Sequence, residues 1–253
     1  MIFISEPYRR IFDQIGFLPE MIFTSPAIIP WRKLPDRENC TWDFPADSGH
    51  IRLHVKRFPP MRSAPAKLEA DGYRALHDRG IQSVDVVAWG ILNDGRSFIA
   101  TEDLAGFTPA DKLIQSGIPF DRLLISTADL AAQLHNAGLH HRDLYLCHFL
   151  ARLDKNQSPE LRLIDAARVR PLPGPLTRRR WIVKDLAQFW FSTLTLPVSD
   201  TQRDAWLRRY CEQTKIAQPE SLKKSILRKS NTIGAHDRKL RAREPRRNIS
   251  IPN

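Results

Sequence analysis

The triplet His141-Arg142-Asp143 follows a segment of helical periodicity and has the residue types for handling a hydroxyl group. An aspartate carboxylate can orient an alcohol and receive its proton as the oxygen attacks. Three further charged residues fall in order around it. Lys56 follows the alternating stretch IRLHV, Glu69 comes thirteen residues later, and Asp165 follows the apolar stretch LRLI, 22 residues beyond Asp143. A lysine compensates the charge of phosphates, a glutamate aims that lysine, and a second aspartate offers hard oxygens to Mg²⁺. Charge compensation and in-line positioning are what phosphoryl transfer requires of a protein. Each residue alone has a plainer explanation: a solvated loop triplet, a strand-edge lysine, an exposed helix-face glutamate, and a turn or N-cap aspartate. Taken together, they point to ATP-dependent transfer with Asp143 as catalytic base, Lys56 and Glu69 gripping the nucleotide, and Asp165 holding Mg²⁺.

The elements that must position them can be read from periodicity. Residues 1–35 are punctuated by proline and read as an irregular lead-in. In Ile51, Leu53 and Val55, alternating with Arg52, His54 and Lys56, the text has the period of a half-buried strand. Glu38–Phe44 and His50–Phe58 around a turn at Pro45–Gly49 therefore form a hairpin. Ala64–Arg79 is an amphipathic helix ended by Gly80, and Val84–Trp89 and Ser97–Thr101 are two more strands. Asp121–Asn136 is a helix stopped by Gly138. After the loop come a strand at Leu161–Ile164, a basic proline-rich loop at Arg168–Arg180, and helices near Trp181–Leu194 and Thr201–Thr214. The expected class is α+β, a small antiparallel sheet with one helix followed by a mainly helical half. The divisions fall at 1–103, 104–221, and a basic, partly disordered tail over 222–253.

Composition narrows the setting. The chain has 253 residues, 42% hydrophobic and 26% charged, as expected of a globular protein. Its apolar runs are too short to span a bilayer and its start lacks the form of a signal peptide, so a cytoplasmic location is expected. Three scattered cysteines, Cys40, Cys147 and Cys211, give no metal spacing and no disulfide framework. A net charge of +11 implies an anionic partner. Between Leu222 and Arg247, ten basic residues oppose only Asp237 and Glu244, which suits an anionic membrane surface. No aromatic or motif-like company supports nucleic acid as the partner.

The segments HHRDLYLCHFL (140–150), LRLIDAARV (161–169) and RWIVKDLAQFWFS (180–192) resemble the lipopolysaccharide core kinases, which include Kdo kinases and WaaP-type heptose kinases. Lesser support comes from VKRF (55–58), GIQSVDVVAWG (80–90) and ATEDLAG (100–106), and the likeness covers roughly residues 30–215. The run after Arg-Asp, with its Tyr, Cys and His, is characteristic of that family. His148 thus stands where protein kinases place asparagine. The resemblance implies a two-lobed, protein-kinase-like fold and an alcohol acceptor on the inner core, either heptose or Kdo, phosphorylated at the cytoplasmic face of the inner membrane. It implies a site of Lys56, Glu69, Asp143, His148 and Asp165. Asp165 is the expected metal ligand and His148 a candidate second one. Thr101, Glu102, Asp103 and Leu104 form the stretch facing adenine, and Asp185 is a structural anchor for the loop. There is no glycine-rich loop, because Gly49 is the only glycine in the hairpin. Only twenty residues separate Asp165 from Asp185 (185 − 165), too few for a peptide-docking platform, which favours a sugar or glycolipid acceptor. Two other readings stay open: a small-molecule kinase of the aminoglycoside or choline type, and a pseudokinase or basic binding protein. The Tyr145–His148 run opposes the first, and intact Lys56, Asp143 and Asp165 oppose the second.

Overall fold

The computed structural model describes residues 1–46, 49–154 and 158–243, and the chain divides into two compact units. The first comprises Met1–Ala75 and Val84–Ala105, and the second comprises Leu76–Ser83 and Gly106–Asn253.

The first unit is built on one antiparallel sheet. Its strands are β1 (Ile2–Ile4), β2 (Ile28–Leu34), β3 (Arg37–Ala46), β4 (Gly49–Phe58), β5 (Val86–Ile91) and β6 (Ser97–Glu102), in the spatial order β1-β5-β6-β4-β3-β2. Strand β4 lies inside the sheet, with Leu53 and Val55 buried on one face and the alternate Arg52 and His54 exposed. Burying each such aliphatic side chain contributes about 1.5–3 kcal/mol. Three helices complete the unit: α1 (Glu6–Gln14), α2 (Met21–Thr24) and α3 (Pro65–His77), whose last two residues are grouped with the second unit.

The lead-in expected to be irregular is therefore structured. Helix α1 carries Tyr8, Ile11 and Phe12 at helical spacing, and the next apolar residue, Ile15, is its C-cap. Phe12 meets Phe17 at 4.6 Å and Trp42 at 5.7 Å between ring centroids, and Trp42 meets Phe44 at 4.7 Å. Strand β1 crosses β5 so closely that a Cβ on Gly90 would meet Ile2 Cδ1 at 2.4 Å and Phe98 Cε1 at 2.7 Å. Only glycine fits there. The hairpin is as expected in its strands, while residues 47–48 of its turn lie outside the described residues.

The second unit holds the helices α4 (Ala110–Gln115), α5 (Asp121–Asn136), α6 (Pro175–Thr193), α7 (Asp200–Thr214) and α8 (Pro219–Arg243). Short strands punctuate them. β7 (Thr108–Pro109) pairs with β9 (Phe149–Arg152), which pairs with β10 (Glu160–Leu163), and β8 (Leu139–His140) pairs with β11 (Arg170–Pro171). Gly138, in the left-handed region at φ 75°, ends α5 and turns the chain toward the loop. Helix α7 lies against α5, where Trp206 Nε1 donates to Thr127 at 3.0 Å, and the same ring stacks on Phe189 of α6 at 4.0 Å.

Two expectations need correcting here. The basic loop ends early, because Pro175 starts α6 and Arg178–Arg180 are helical. Over 219–243 the basic tail is helix α8, which packs along α6 and buries Leu222, Ile226, Ser230 and Gly234. Apolar residues there are sparse, but the buried positions recur at i, i+4 and so form one narrow seam that includes the hydroxyl of Ser230. Residues 244–253 of the expected tail lie outside the described residues.

Candidate active site

The expected site residues divide between the two units. In the first, Lys56 sits within β4, paired in register with Asn39 of β3 and Ile99 of β6. Its Nζ lies 2.7 Å from Oε1 of Glu69 on α3, with the lysine 24% exposed and the glutamate 2%. So little solvent means weak screening, and each charge depends strongly on the other. Thr101 and Glu102 end β6, and Asp103 and Leu104 follow it. Glu102 accepts from the Tyr8 hydroxyl at 2.9 Å. Asp103 accepts from His54 Nε2 at 2.7 Å, and that bond holds its carboxyl below the usual carboxylate range against the opposing effect of burial.

In the second unit, the chain leaves β8 through His141, Arg142 and Asp143 and makes a single 3₁₀ turn at Leu146–His148 before β9. Helix α6 holds this loop by its backbone. Asp185, fully buried, accepts from the N–H of His141 and of Arg142, both at 2.7 Å. One turn on, Gln188 accepts from Leu144 N–H at 3.1 Å and donates to the Arg142 carbonyl at 2.9 Å. A further turn on, Ser192 Oγ accepts from Leu146 N–H at 2.9 Å. Positions 185, 188 and 192 share one helix face, so a single helix supplies three consecutive anchors. The loop needs them, because Arg142 is in the left-handed region at φ 68°, a conformation that non-glycine residues adopt at a cost. Burial opposes the charge on Asp185, but His135 at 3.3 Å and the His141 N–H outweigh it, and its pKa lies below the ordinary value. His135 is itself held by the Tyr210 hydroxyl at 2.7 Å.

Asp143 is 26% exposed on its side chain, with Oδ2 3.6 Å from Arg168 and Oδ1 3.4 Å from Gln188 Nε2. Asp165 takes a left-handed backbone at φ 62°, which aspartate tolerates better than most residues. Two histidines tie the aspartates together. His148 Nδ1 donates to the Asp143 carbonyl at 2.6 Å, while its Nε2 lies 3.8 Å from Asp165 Oδ2. Fully buried His141 donates from Nε2 to the Ile164 carbonyl at 3.2 Å, and Ile164 N–H donates to the His148 carbonyl at 3.1 Å. Burial, reinforced by the nearby His148, pushes the pKa of His141 down and keeps that ring neutral. For His148 burial works the same way, but Cys147, the Asp165 carboxylate and the Asp143 carbonyl outweigh it, and its pKa is raised.

The structure thus brings Lys56 to Glu69, and Asp143 to His148 and Asp165. Sequence reasoning named Asp185 but not Gln188, Ser192 or Arg168. The signal for the first two was present, since they follow Asp185 at i+3 and i+7 on a helix already expected.

The family profile described as the lipopolysaccharide kinase (Kdo/WaaP) family matches residues 46–210, a span that holds Lys56, Glu69, residues 101–104, Asp143, His148, Asp165 and Asp185. The chain belongs to that family. The lipopolysaccharide core heptose(I) kinase WaaP of Escherichia coli is 30% identical over 239 residues, 81% of this chain and 84% of that protein. The protein of the same description from Pseudomonas aeruginosa is 32% identical over 159 residues, 57% of this chain and 59% of its own length. A solved WaaP in complex with acyl carrier protein superposes with a TM-score of 0.71 at 27% identity, covering 92% of this chain and 98% of that one. An aminoglycoside-3′-phosphotransferase of type VIII shares the fold at a TM-score of 0.55 and 18% identity, covering 81% of this chain. As a member of the Kdo/WaaP family with a protein-kinase-like α+β fold, the chain is an ATP-dependent phosphotransferase.

Proposed function

We propose that this member of the Kdo/WaaP family transfers the γ-phosphoryl group of ATP to a heptose hydroxyl of the lipopolysaccharide inner core. The heptose(I) kinases among its relatives support that acceptor. The observation that carries the reading is the placement of Asp143 and Asp165 on either side of His148, in a loop fixed by α6.

Asp143 orients the acceptor hydroxyl and takes its proton as the oxygen–phosphorus bond forms. The bond from the γ-phosphorus to the β–γ bridging oxygen breaks, and ADP leaves with that electron pair. Arg168 faces the Asp143 carboxylate, 3.6 Å from Oδ2. Lys56, aimed by Glu69, compensates phosphate charge. The carboxylates of Glu102 and Asp103 are engaged within the first unit, so we assign adenine recognition to backbone groups of residues 101–104.

The donor chemistry fits Mg²⁺ at Asp165. Magnesium prefers oxygen, keeps water and phosphate oxygens around it, and needs only one or two carboxylates from protein. Among the described residues no cluster of three His, Cys, Asp or Glu is present, which accords with such a sparse site. When bound, Mg²⁺ would neutralise charge on the phosphates. His148 Nδ1 is committed to the Asp143 carbonyl, and magnesium prefers oxygen to imidazole nitrogen. We assign it to ordering the loop between the two aspartates.

Location belongs to the same proposal. Lys224, Arg228, Arg238 and Lys239 are exposed on α8, while Lys223 and Arg241 are paired with Asp204 and Asp237. The exposed residues would hold the enzyme reversibly at the anionic cytoplasmic face of the inner membrane, each contributing about 1 kcal/mol when it reaches the surface. We extend the solved relative's partner, acyl carrier protein, to this chain. Co-purification tests that extension. The reaction is tested by incubating the protein with ATP, Mg²⁺ and dephosphorylated inner-core lipopolysaccharide or soluble sugars, then locating the phosphate. Incorporation on heptose that Asp143→Ala abolishes is the expected result. Transfer to soluble sugars alone would overturn the acceptor assignment.

A further inference from the structure

Helices α6 and α8 line an open groove of about 510 Å³ whose charged lining is entirely cationic: Arg179, Arg180, Lys184 and Lys229. Its apolar wall is Trp181, and three cations gather on that one ring. The Arg142 guanidinium lies 4.6 Å from its centroid, Lys184 Nζ 5.5 Å and the Arg180 guanidinium 5.8 Å. Among the described residues, none of Arg142, Arg180, Lys184 and Lys229 has a carboxylate within 4.0 Å, and Arg179 donates only to the neutral Ser221 hydroxyl at 3.0 Å. Elsewhere in this unit Arg162, Arg203, Arg209, Lys223 and Arg241 each have a carboxylate at 2.6–2.7 Å. Arg142, Lys184 and Lys229 are half-buried, and like charges crowded there repel one another, an effect that the nearby Asp143 and Asp185 offset only in part.

We propose that this groove binds a phosphate monoester carried by a sugar or lipid. A dianion matches several converging cations, guanidinium and ammonium groups are the usual phosphate donors, and the aromatic wall gives a sugar ring a face to lie on. A carboxylate would satisfy fewer of the donors. The crowding also shows in Lys184, whose pKa is lowered by burial and by Arg142, so that an anion in the groove would relieve it. Arg142 connects the groove to the loop, because its backbone N–H is held by Asp185 and its neighbour is Asp143. The groove therefore positions a phosphate-bearing ligand beside the loop that carries the base. The inference concerns binding and stands apart from which hydroxyl receives phosphate.

The test is calorimetric titration of the full chain with glucose 6-phosphate and, separately, with monomeric dihexanoyl phosphatidic acid. The pair distinguishes a soluble sugar phosphate from a lipid headgroup as the source. Three variants are compared with the natural chain. K184Q/K229Q removes two groove cations, K224Q/K239Q removes two exposed cations of α8 outside it, and K184R keeps the charge. The expected result is that at least one ligand binds, that K184Q/K229Q weakens it by on the order of tenfold or more, that K224Q/K239Q changes it less than twofold, and that K184R retains it. ATP binding and thermal melting of K184Q/K229Q serve as its fold check. Equal losses in both double variants would mean diffuse electrostatics and would overturn the proposal, as would binding of neither ligand. Such failures would leave ATP-dependent transfer to heptose untouched, so the two readings fail separately.

Discussion

Replacing Asp185 by Asn changes one atom in the least exposed carboxylate of the second unit, and its effect can be worked from the bonds it makes. Both oxygens are committed, Oδ2 to His141 N–H and Oδ1 to Arg142 N–H, each at 2.7 Å. An asparagine has one acceptor oxygen and one amide nitrogen. One backbone N–H therefore keeps a partner, weaker for the lost charge, while the other faces a donor in a site closed to water. A bond to a charged group is worth about 1.5–3 kcal/mol, and an orphaned buried donor costs about 1–3 kcal/mol. The variant should lose about 2–4 kcal/mol of unfolding free energy, measured as a lower denaturant midpoint at unchanged slope. Arg142 would then relax from its left-handed backbone, and Asp143 with it, so phosphoryl transfer should fall by about 100-fold or more, since small misplacements of a catalytic group carry penalties of that size. Asp143→Asn is the contrast: transfer lost, midpoint kept within about 0.5 kcal/mol, because that side chain is partly exposed and loosely held. An Asp185→Asn protein with the natural midpoint and natural turnover would refute the claim that α6 sets the loop.

Three further outcomes follow from the geometry. Lys56→Met should destabilise the first unit by about 3 kcal/mol through the carboxylate left behind at Glu69, and adding Glu69→Leu should restore stability but not transfer, as a double-mutant cycle with paired activity assays will read. His148→Asn should lower turnover while leaving the Mg²⁺ titration curve in place, because Asn can still donate toward the Asp143 carbonyl; a displaced curve would return His148 to the metal. His140 is buried and its pKa is pushed down to about 4 by burial, so between about pH 6.5 and 4 the unfolded chain takes up a proton that the folded one refuses. Stability is then lost as pH falls through that window, by about 3 kcal/mol in all, and His140→Phe should remove that part of the slope in melts from pH 7 to 4.

Much of the site was legible because its chemistry needs charged residues where the local pattern does not. Asp143 and Asp165 break their surroundings, one after a helix stop and one after an apolar strand. Lys56 is likewise a charge in the strand that carries Leu53 and Val55 inward. Gln188 and Ser192 stand at helical spacing from Asp185, but an amide or hydroxyl on a helix has many uses, so spacing alone did not assign them as anchors. Their role emerges only when the face that meets the loop is known. Arg168 pairs with Asp143 across a turn that spacing does not fix. In the fold, β3 to β6 and α5 followed their periods, whereas α1 and β2 were hidden by prolines that they contain, Pro7 in the first turn of α1 and Pro30 in β2. Helix α8 was hidden by charge density: its buried seam is one residue wide, and its lysines and arginines outnumber the residues that pack.

Four backbone N–H groups of the catalytic loop, those of residues 141, 142, 144 and 146, end on three side chains of one helix. A loop fastened this way keeps little freedom of its own. Its configurational entropy is given up when α6 forms and packs, long before any substrate arrives. In the proposed reaction the acceptor would meet a base already in place, and binding free energy need not be spent on ordering the loop. To unseat Asp143 without touching it, an influence would have to displace α6 itself.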